Sequence, residues 1–341
     1  MVNLFKTMGD AYVFGLQELL TSGVSVPSVT DPFSIASNFG VGDRPAIESL
    51  AFSFAVDNPE PCLLSCSPKI FDIPYQIGLF LWTIAGSESL EWLNYYNPIA
   101  KRFSSDGELL CGAFGKRLFS YKGCVDQMAI IEDRLSQYPS TRRAFGSILS
   151  AQDNESATFD YPCAIGVQYF IRNDTLFATT FMRAQQALTV LPFDCFVFMG
   201  LQALLASKLG IPCGRYFHVC GTFHFYESER ILAERISLSR VKSVSLGPMS
   251  GGVASLEKLL QFEAELRKAT LTGDRATVDG LTSVRFDAGG FYESARVLLM
   301  LHAYSLLNLN HLALASMNLL PADLRHLALR FWGAKSGNAE S

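Results

Sequence analysis

YPCAIGVQYF at residues 161–170, IRNDTLFATTFMRAQQALTVLPFD at 171–194 and GRYFHVCGTFHFY at 214–226 decide the fold. Residues 165–171 and 175–181 are rich in β-branched and aromatic side chains. Arg172-Asn173-Asp174 between them reads as a hairpin turn. After Pro192, residues 196–209 are apolar almost throughout and stop at Gly210, the pattern of a buried helix. Residues 216–226 are β-rich again.

Outward from this window the pattern turns helical. Residues 10–22 carry Val13, Leu16, Leu19 and Leu20 at helical spacing and stop at Gly23. Residues 24–46 read as loop, 47–56 as one strand, 74–85 as a helix, and 124–138 as an amphipathic helix closed by Pro139. Residues 243–255 are rich in glycine and serine and read as a linker. Helical spacing returns at 256–268, 292–307 and 322–331. Strands followed by helices predict an α+β fold, divided into a catalytic domain at 1–243 and a mainly helical extension at 244–341 packed on it.

Composition excludes several classes. Of 341 residues, 49% are hydrophobic and 18% charged, far too apolar for a disordered chain. A net charge of −4 gives no broad nucleic-acid-binding surface. Of the two most apolar stretches, 187–206 contains Pro192, Asp194 and Gln202, and 297–320 contains His302, Asn308, Asn310, His311 and Asn318. Neither is a clean span of ~20 apolar residues, so no membrane partner is expected. Eight cysteines include no CxxC pair, and Cys62 and Cys66 are four apart. Reduced thiols, no metal site and a cytoplasmic setting follow as expectations, together with an N-terminus that lacks a basic, apolar and small-residue leader pattern.

The chemistry-bearing residues concentrate in the same window. Cys163 follows a polar, acidic stretch, Arg183 comes twenty residues later, Asp194 opens the apolar helix, and His224-x-Tyr226 closes a strand. Upstream lies the pair Arg142-Arg143. Each has a plain structural reading: a buried thiol, a helix N-cap, a strand's polar face, a solvated pair.

Together these motifs resemble the thymidylate synthase superfamily, which includes the deoxycytidylate hydroxymethylases, over residues 10–230. FLWTIAG at 80–86, GAFGKR at 112–117 and TRRAFGSILSAQD at 141–153 are looser matches in the same order. The resemblance implies a mixed β-sheet with packed helices. It makes Cys163 the nucleophile that adds to pyrimidine C6 and turns C5 into a carbanion-like centre. It assigns the nucleotide phosphate to Arg183 and, from the other subunit of a homodimer, to Arg142 and Arg143, whose guanidinium forks suit a phosphate. His224 and Tyr226 match residues that hold the sugar 3′-hydroxyl, and Gln168 lies on the matching strand. A cation beside Cys163 is expected to lower its thiol pKa.

Asp194 stands where thymidylate synthases carry asparagine. A carboxyl group accepts from cytosine N4 and, when it or N3 is protonated, completes a second bond. The resemblance therefore implies CMP or dCMP as substrate, hydroxymethyl as the transferred group and 5,10-methylenetetrahydrofolate as donor. The folate side departs from the pattern: Leu79 replaces a glutamate, Gln186 a pterin-contacting aspartate, Ala100 a tryptophan, Phe114 a tyrosine, Ala164 a histidine and Ala184 a serine. An N-terminal phosphate arginine is missing near Ser28 or Val29, with Arg44 as the candidate substitute. Glu257, Glu263, Glu265, Asp287 and Glu293 in the extension read as surface charge, with a carboxylate for the missing glutamate as the alternative. Two further readings stay open: a folate-independent, cysteine-dependent pyrimidine nucleotide enzyme, and a nucleotide-binding homologue without catalysis.

Overall fold

The computed structural model describes residues 2–27, 44–57, 59–66, 72–104, 106–155, 160–287 and 289–335. The chain opens with β1 (Asn3–Phe5), α1 (Met8–Ser22) and β2 (Val24–Val26). Then come β3 (Ala46–Leu50), β4 (Ser53–Val56), β5 (Cys62–Leu64), α2 (Ile73–Ile84), α3 (Leu90–Tyr96), α4 (Phe114–Phe119) and α5 (Gln127–Gln137). The middle holds β6 (Phe145–Ser147), β7 (Ala164–Arg172), β8 (Thr175–Gln186), α6 (Leu191–Leu209), β9 (Cys213–Tyr226), α7 (Arg230–Ser237) and β10 (Ser243–Ser245). The C-terminal part is α8 (Gly252–Thr272), α9 (Arg275–Leu281), α10 (Phe291–Leu306), α11 (Asn310–Met317) and α12 (Ala322–Lys335).

The main sheet runs β1-β4-β9-β8-β7-β6, with β3 continuing along β9 and carrying β2. It is mixed: β8 and β9 are parallel, as are β1 and β4, and the other pairs are antiparallel. The β7–β8 hairpin forms as the sequence predicts. Asn173 and Asp174 adopt φ of 50° and 53°, the left-handed pair that a two-residue primed turn requires. The parallel step from β8 to β9 needs a crossover, and α6 supplies it.

Helix α6 is apolar on every side and buried nearly throughout, as a helix without a polar face must be. Its 19 residues are long and apolar enough to cross a membrane by composition, yet 78% of that window lies inside the fold. Gly210, at φ +67°, ends it in a left-handed cap. Gly200 lets Phe80 of α2 approach, since a Cβ there would meet the ring at 2.5 Å. Phe80 meets Phe196 and Phe291 edge to face, and Phe196 and Phe291 are tilted, with centroids 5.6–6.3 Å apart, which joins α2, α6 and α10. One apolar cluster reaches from α1 to α12.

Several expectations need correction. The strand read at 47–56 is two strands, because Ala51 turns to φ 52° between them. The loop read at 24–46 begins with β2, paired to β3, and residues 28–43, with the Ser28 and Val29 positions, lie outside the described residues. The linker read at 243–255 begins with β10, which pairs with β5, and ends inside α8. The helix read from Cys124 starts at Gln127, where the Asp126 side chain accepts from the backbone N–H of Ala129.

Candidate active site

Hairpin register accounts for the first contact. Ala164 pairs with Met182, so the preceding residue, Cys163, meets the following one, Arg183, and the Arg183 N–H donates to the Cys163 carbonyl at 2.8 Å. The guanidinium folds back over the same turn. Arg183 Nε donates to Pro162 O at 2.8 Å, and Nη2 to Tyr161 O at 3.2 Å. Nη2 also lies 3.8 Å from Cys163 Sγ, and the group sits 4.6 Å over the Tyr161 ring. Burial nevertheless pushes the Cys163 thiol up to about 11; Arg183 pulls it down, and Asp194 and Asp160 push it up. The expected net lowering is therefore overturned: desolvation of a thiolate outweighs one neighbouring cation.

The sheet is irregular at this level. In β8 the buried positions run Ala178, Thr180, Met182 and then Gln185; in β9 they run Tyr216, His218, Cys220 and then Phe223. Both alternations slip by one residue around the paired Ala184 and Thr222. The β7–β8 register shifts between Ala164 and Gly166, and the Ala51 N–H donates to Gly221 O at 2.9 Å. Such slips re-aim side chains. Here Arg183 turns to Cys163, and Gln185 turns inward beneath α6.

Asp194 lies in the first turn of α6 and makes no N-cap, contrary to its plain structural reading. Its Oδ2 accepts from Gln185 Nε2 at 2.9 Å. Gln185 Oε1 is 3.0 Å from His218 Nε2, and His218 Nδ1 is 2.8 Å from the Tyr216 hydroxyl. Burial raises the Asp194 carboxyl to about 7, against the pull of Gln185, and lowers the His218 imidazole to about 3. Asp160, three residues before Cys163, is raised by burial to about 6 while its Oδ2 accepts from the Gly112 N–H at 2.6 Å. Tyr75 of α2, raised mainly by burial, also feels both Asp194 and Asp160.

His224 and Tyr226 meet edge to face at 5.6 Å on β9. Arg44 covers the Tyr226 ring at 3.6 Å, which puts a cation at this site from the N-terminal side. Burial lowers the His224 pKa; Glu48 raises it, and Arg183 and Arg44 lower it. Arg142 and Arg143 are exposed, and among the described residues no hydrogen bond or ion pair joins them to Cys163. Gln168 Nε2 donates to Arg142 O at 2.8 Å and Arg134 to Arg143 O at 2.5 Å, so both backbones are held while the residues stay exposed.

The folate-side positions are filled differently. Leu79 packs against two apolar clusters, and Ala100 is buried in one of them. Gln186 Oε1 accepts from the N–H and hydroxyl of Thr189 and from the N–H of Val190, while Nε2 donates to Glu229 at 2.9 Å. Glu263 and Glu293 are buried ion-pair partners of Arg267 and Arg296, which corrects the surface reading of both. A surface cavity of about 260 Å3 lined by Glu88, Lys116, Arg117 and Asp153 does not include Cys163.

Sequence reasoning missed Asp160, Tyr75, Gln185, His218 and Tyr216. Only their proximity in sequence to the quoted motifs hints at them, because buried polar partners leave no periodic signal.

The thymidylate synthase family model matches residues 69–250. Deoxyuridylate hydroxymethyltransferase of Bacillus phage SP01 is 26% identical over 169 residues, 45% of this chain and 43% of that protein. The protein of the same name from Delftia phage PhiW-14 is 26% identical over 243 residues, 67% of this chain and 64% of that protein. The chain thus spans about half the length of the curated relatives it matches. A family model covering more than half the chain, on the fold and grouping just described, shows that the chain belongs to the thymidylate synthase family.

Proposed function

We propose that this chain modifies C5 of a pyrimidine nucleotide through a covalent bond from Cys163 to C6, with hydroxymethyl transfer to CMP or dCMP as the reaction. The observation that carries the reading is one group of side chains: Cys163 Sγ 3.8 Å from Arg183, with the Asp194 charge acting on the same sulfur. In the addition step the Cys163 thiol gives its proton to water and the S–C6 bond forms. The C5–C6 π pair moves toward N3, and N3 takes a proton from Asp194. An Asp194 carboxyl that titrates at about 7 suits this exchange at neutral pH. C5 is left carbanion-like, the centre at which an electrophile or a proton would add.

Arg183 Nη1 makes no bond to another described group, and with Arg44 it offers donors to a phosphate beside His224 and Tyr226. Arg142 and Arg143 are exposed, next to a sheet face on which Phe145 and Ile165 are each 39% exposed. A second copy stacked on that face would cover these side chains and bring both guanidinium groups to its site, which supports a homodimer with shared sites.

Methylenetetrahydrofolate does not fit the residues at its family positions: Leu79 and Ala100 belong to apolar clusters and the Gln186 amide is engaged in holding the start of α6. That mismatch favours a second reading, in which Cys163 activates C5 without folate. The relatives are named for deoxyuridylate, whereas Asp194 suits cytosine, so the base also has to be tested.

The experiment is release of tritium from C5-labelled CMP and dCMP, with and without methylenetetrahydrofolate. Release that requires folate and disappears in Cys163→Ala supports the first reading; release without folate supports the second. Nucleotide binding without release rejects both. If UMP or dUMP outcompetes CMP and dCMP, the cytosine assignment fails.

A further inference from the structure

We propose that Gln185, His218 and Tyr216 are positioning residues for Asp194: they form a one-way hydrogen-bond chain that reserves Oδ2 as an acceptor and leaves Oδ1 as the oxygen that carries the exchangeable proton. The assignment deepens the reading of Asp194 as the contact to the base and rests on it for its function.

Geometry sets the direction of the chain. Tyr216 and His218 are 0% exposed, Gln185 1% and Asp194 7%, so water does not compete for these bonds. A buried His218 lowered to about 3 is neutral and carries one ring N–H. With the Gln185 NH2 on Asp194 Oδ2, its carbonyl faces His218, so the ring proton must sit on Nε2. Nδ1 is then a lone pair, and it accepts from the Tyr216 O–H at 2.8 Å, with Cys195 Sγ a further 3.9 Å neighbour. Every donor therefore points toward Asp194. Reversing the chain would require Asp194 to donate from Oδ2, the amide to turn over and the imidazole to change tautomer together.

This chain does more than fill the core. Gln185, His218 and Tyr216 are buried together on this line, beside longer contacts from Gln185 Nε2 to Gln186 O at 3.5 Å and from Cys195 Sγ to His218 at 3.9 Å, and its Asp194 end reaches the Cys163 group. The groups facing Asp194 are Cys163, Tyr75 of α2, Cys195 of α6, and Tyr216 and Cys220 of β9. Burial raises all of them, so Asp194 is the member of this set that changes charge near neutral pH. Gln185 is the one partner that offsets its desolvation. Without that donor both carboxyl oxygens become equivalent, and the base edge is read less strictly.

The test uses the full chain with Gln185→Met, which keeps bulk and loses both bonds, and Tyr216→Phe, which loses one hydroxyl. Carbon-13 labelling of aspartate follows the Asp194 titration without nucleotide, with Asp194→Asn identifying the resonance. The midpoint should rise by about one pH unit in Gln185→Met and by less in Tyr216→Phe. In competition binding, the preference for CMP over UMP should fall roughly tenfold in Gln185→Met, with unchanged circular dichroism. Unchanged midpoint and preference in both folded variants would overturn the proposal. A shifted midpoint in a protein whose wild type shows no base preference would uphold the chain and sink the base assignment instead. If Gln185→Met fails to fold, Tyr216→Phe carries the same two readouts.

Discussion

At Cys163 two opposed effects meet, and burial prevails over the guanidinium. Arg183→Ala removes the opposing pull, so thiolate becomes scarcer still. Alkylation of Cys163 by iodoacetamide at pH 8 should slow about tenfold for each unit of further rise; an unchanged rate would mean that Arg183 does not act on the sulfur. Asp194 gives a second prediction. Its folded pKa, about 7, lies above the ordinary 3.8, so its stabilising share is complete below the ordinary value and fades as pH rises through about 7. Thermal melts of the wild type should therefore lose more between pH 5 and 8 than those of Asp194→Asn. Parallel melting profiles would contradict the raised carboxyl.

The β7–β8 hairpin and the slipped alternation behind it form the element-scale device. The hairpin brings Cys163 to Arg183 across twenty residues, and the Asn173-Asp174 turn holds it. Asp174→Val forces a β-branched residue into a left-handed conformation and should cost about 1–2 kcal/mol in urea unfolding; a neutral result would mean that the turn does not hold the register. This much was legible: β-rich runs, a polar turn and an apolar helix are local signals. Other features were not. Ala51 at positive φ breaks a strand without a glycine to announce it. Helices α3, α4, α7, α9 and α11 are six to eight residues long, too short to display a period. Asp194, Gln185 and His218 come from three elements, and their pairing depends on the slip that turns Gln185 inward.

Across the whole molecule, the C-terminal helices share the core of the sheet and add a buried polar tie. Glu263 of α8 is 0% exposed; it accepts from the Tyr96 hydroxyl of α3 at 2.7 Å and pairs with Arg267 at 2.9 Å. Arg267→Ala leaves that carboxylate buried beside a single hydroxyl and should destabilise the chain by about 3–5 kcal/mol in denaturant unfolding. A loss below about 1 kcal/mol would show the pair to be no better than a surface bridge. The sequence placed Glu263 on a helix but gave no sign that its face turns inward, because the partner tyrosine lies far away in the chain. These helices share one apolar cluster with α2 and with α6, which carries Asp194. Attack of Cys163 on the ring can be read from the mass of the intact protein. The protein is incubated with 5-fluorocytidylate, ribo and deoxy, with and without methylenetetrahydrofolate, acid-quenched, weighed intact and digested. The expected result is a gain of one nucleotide, with the donor's mass added where the donor has bonded to C5, mapped to Cys163 and absent from Cys163→Ala; a protein that binds the nucleotide yet gains no mass, or gains it at another cysteine, overturns the assignment.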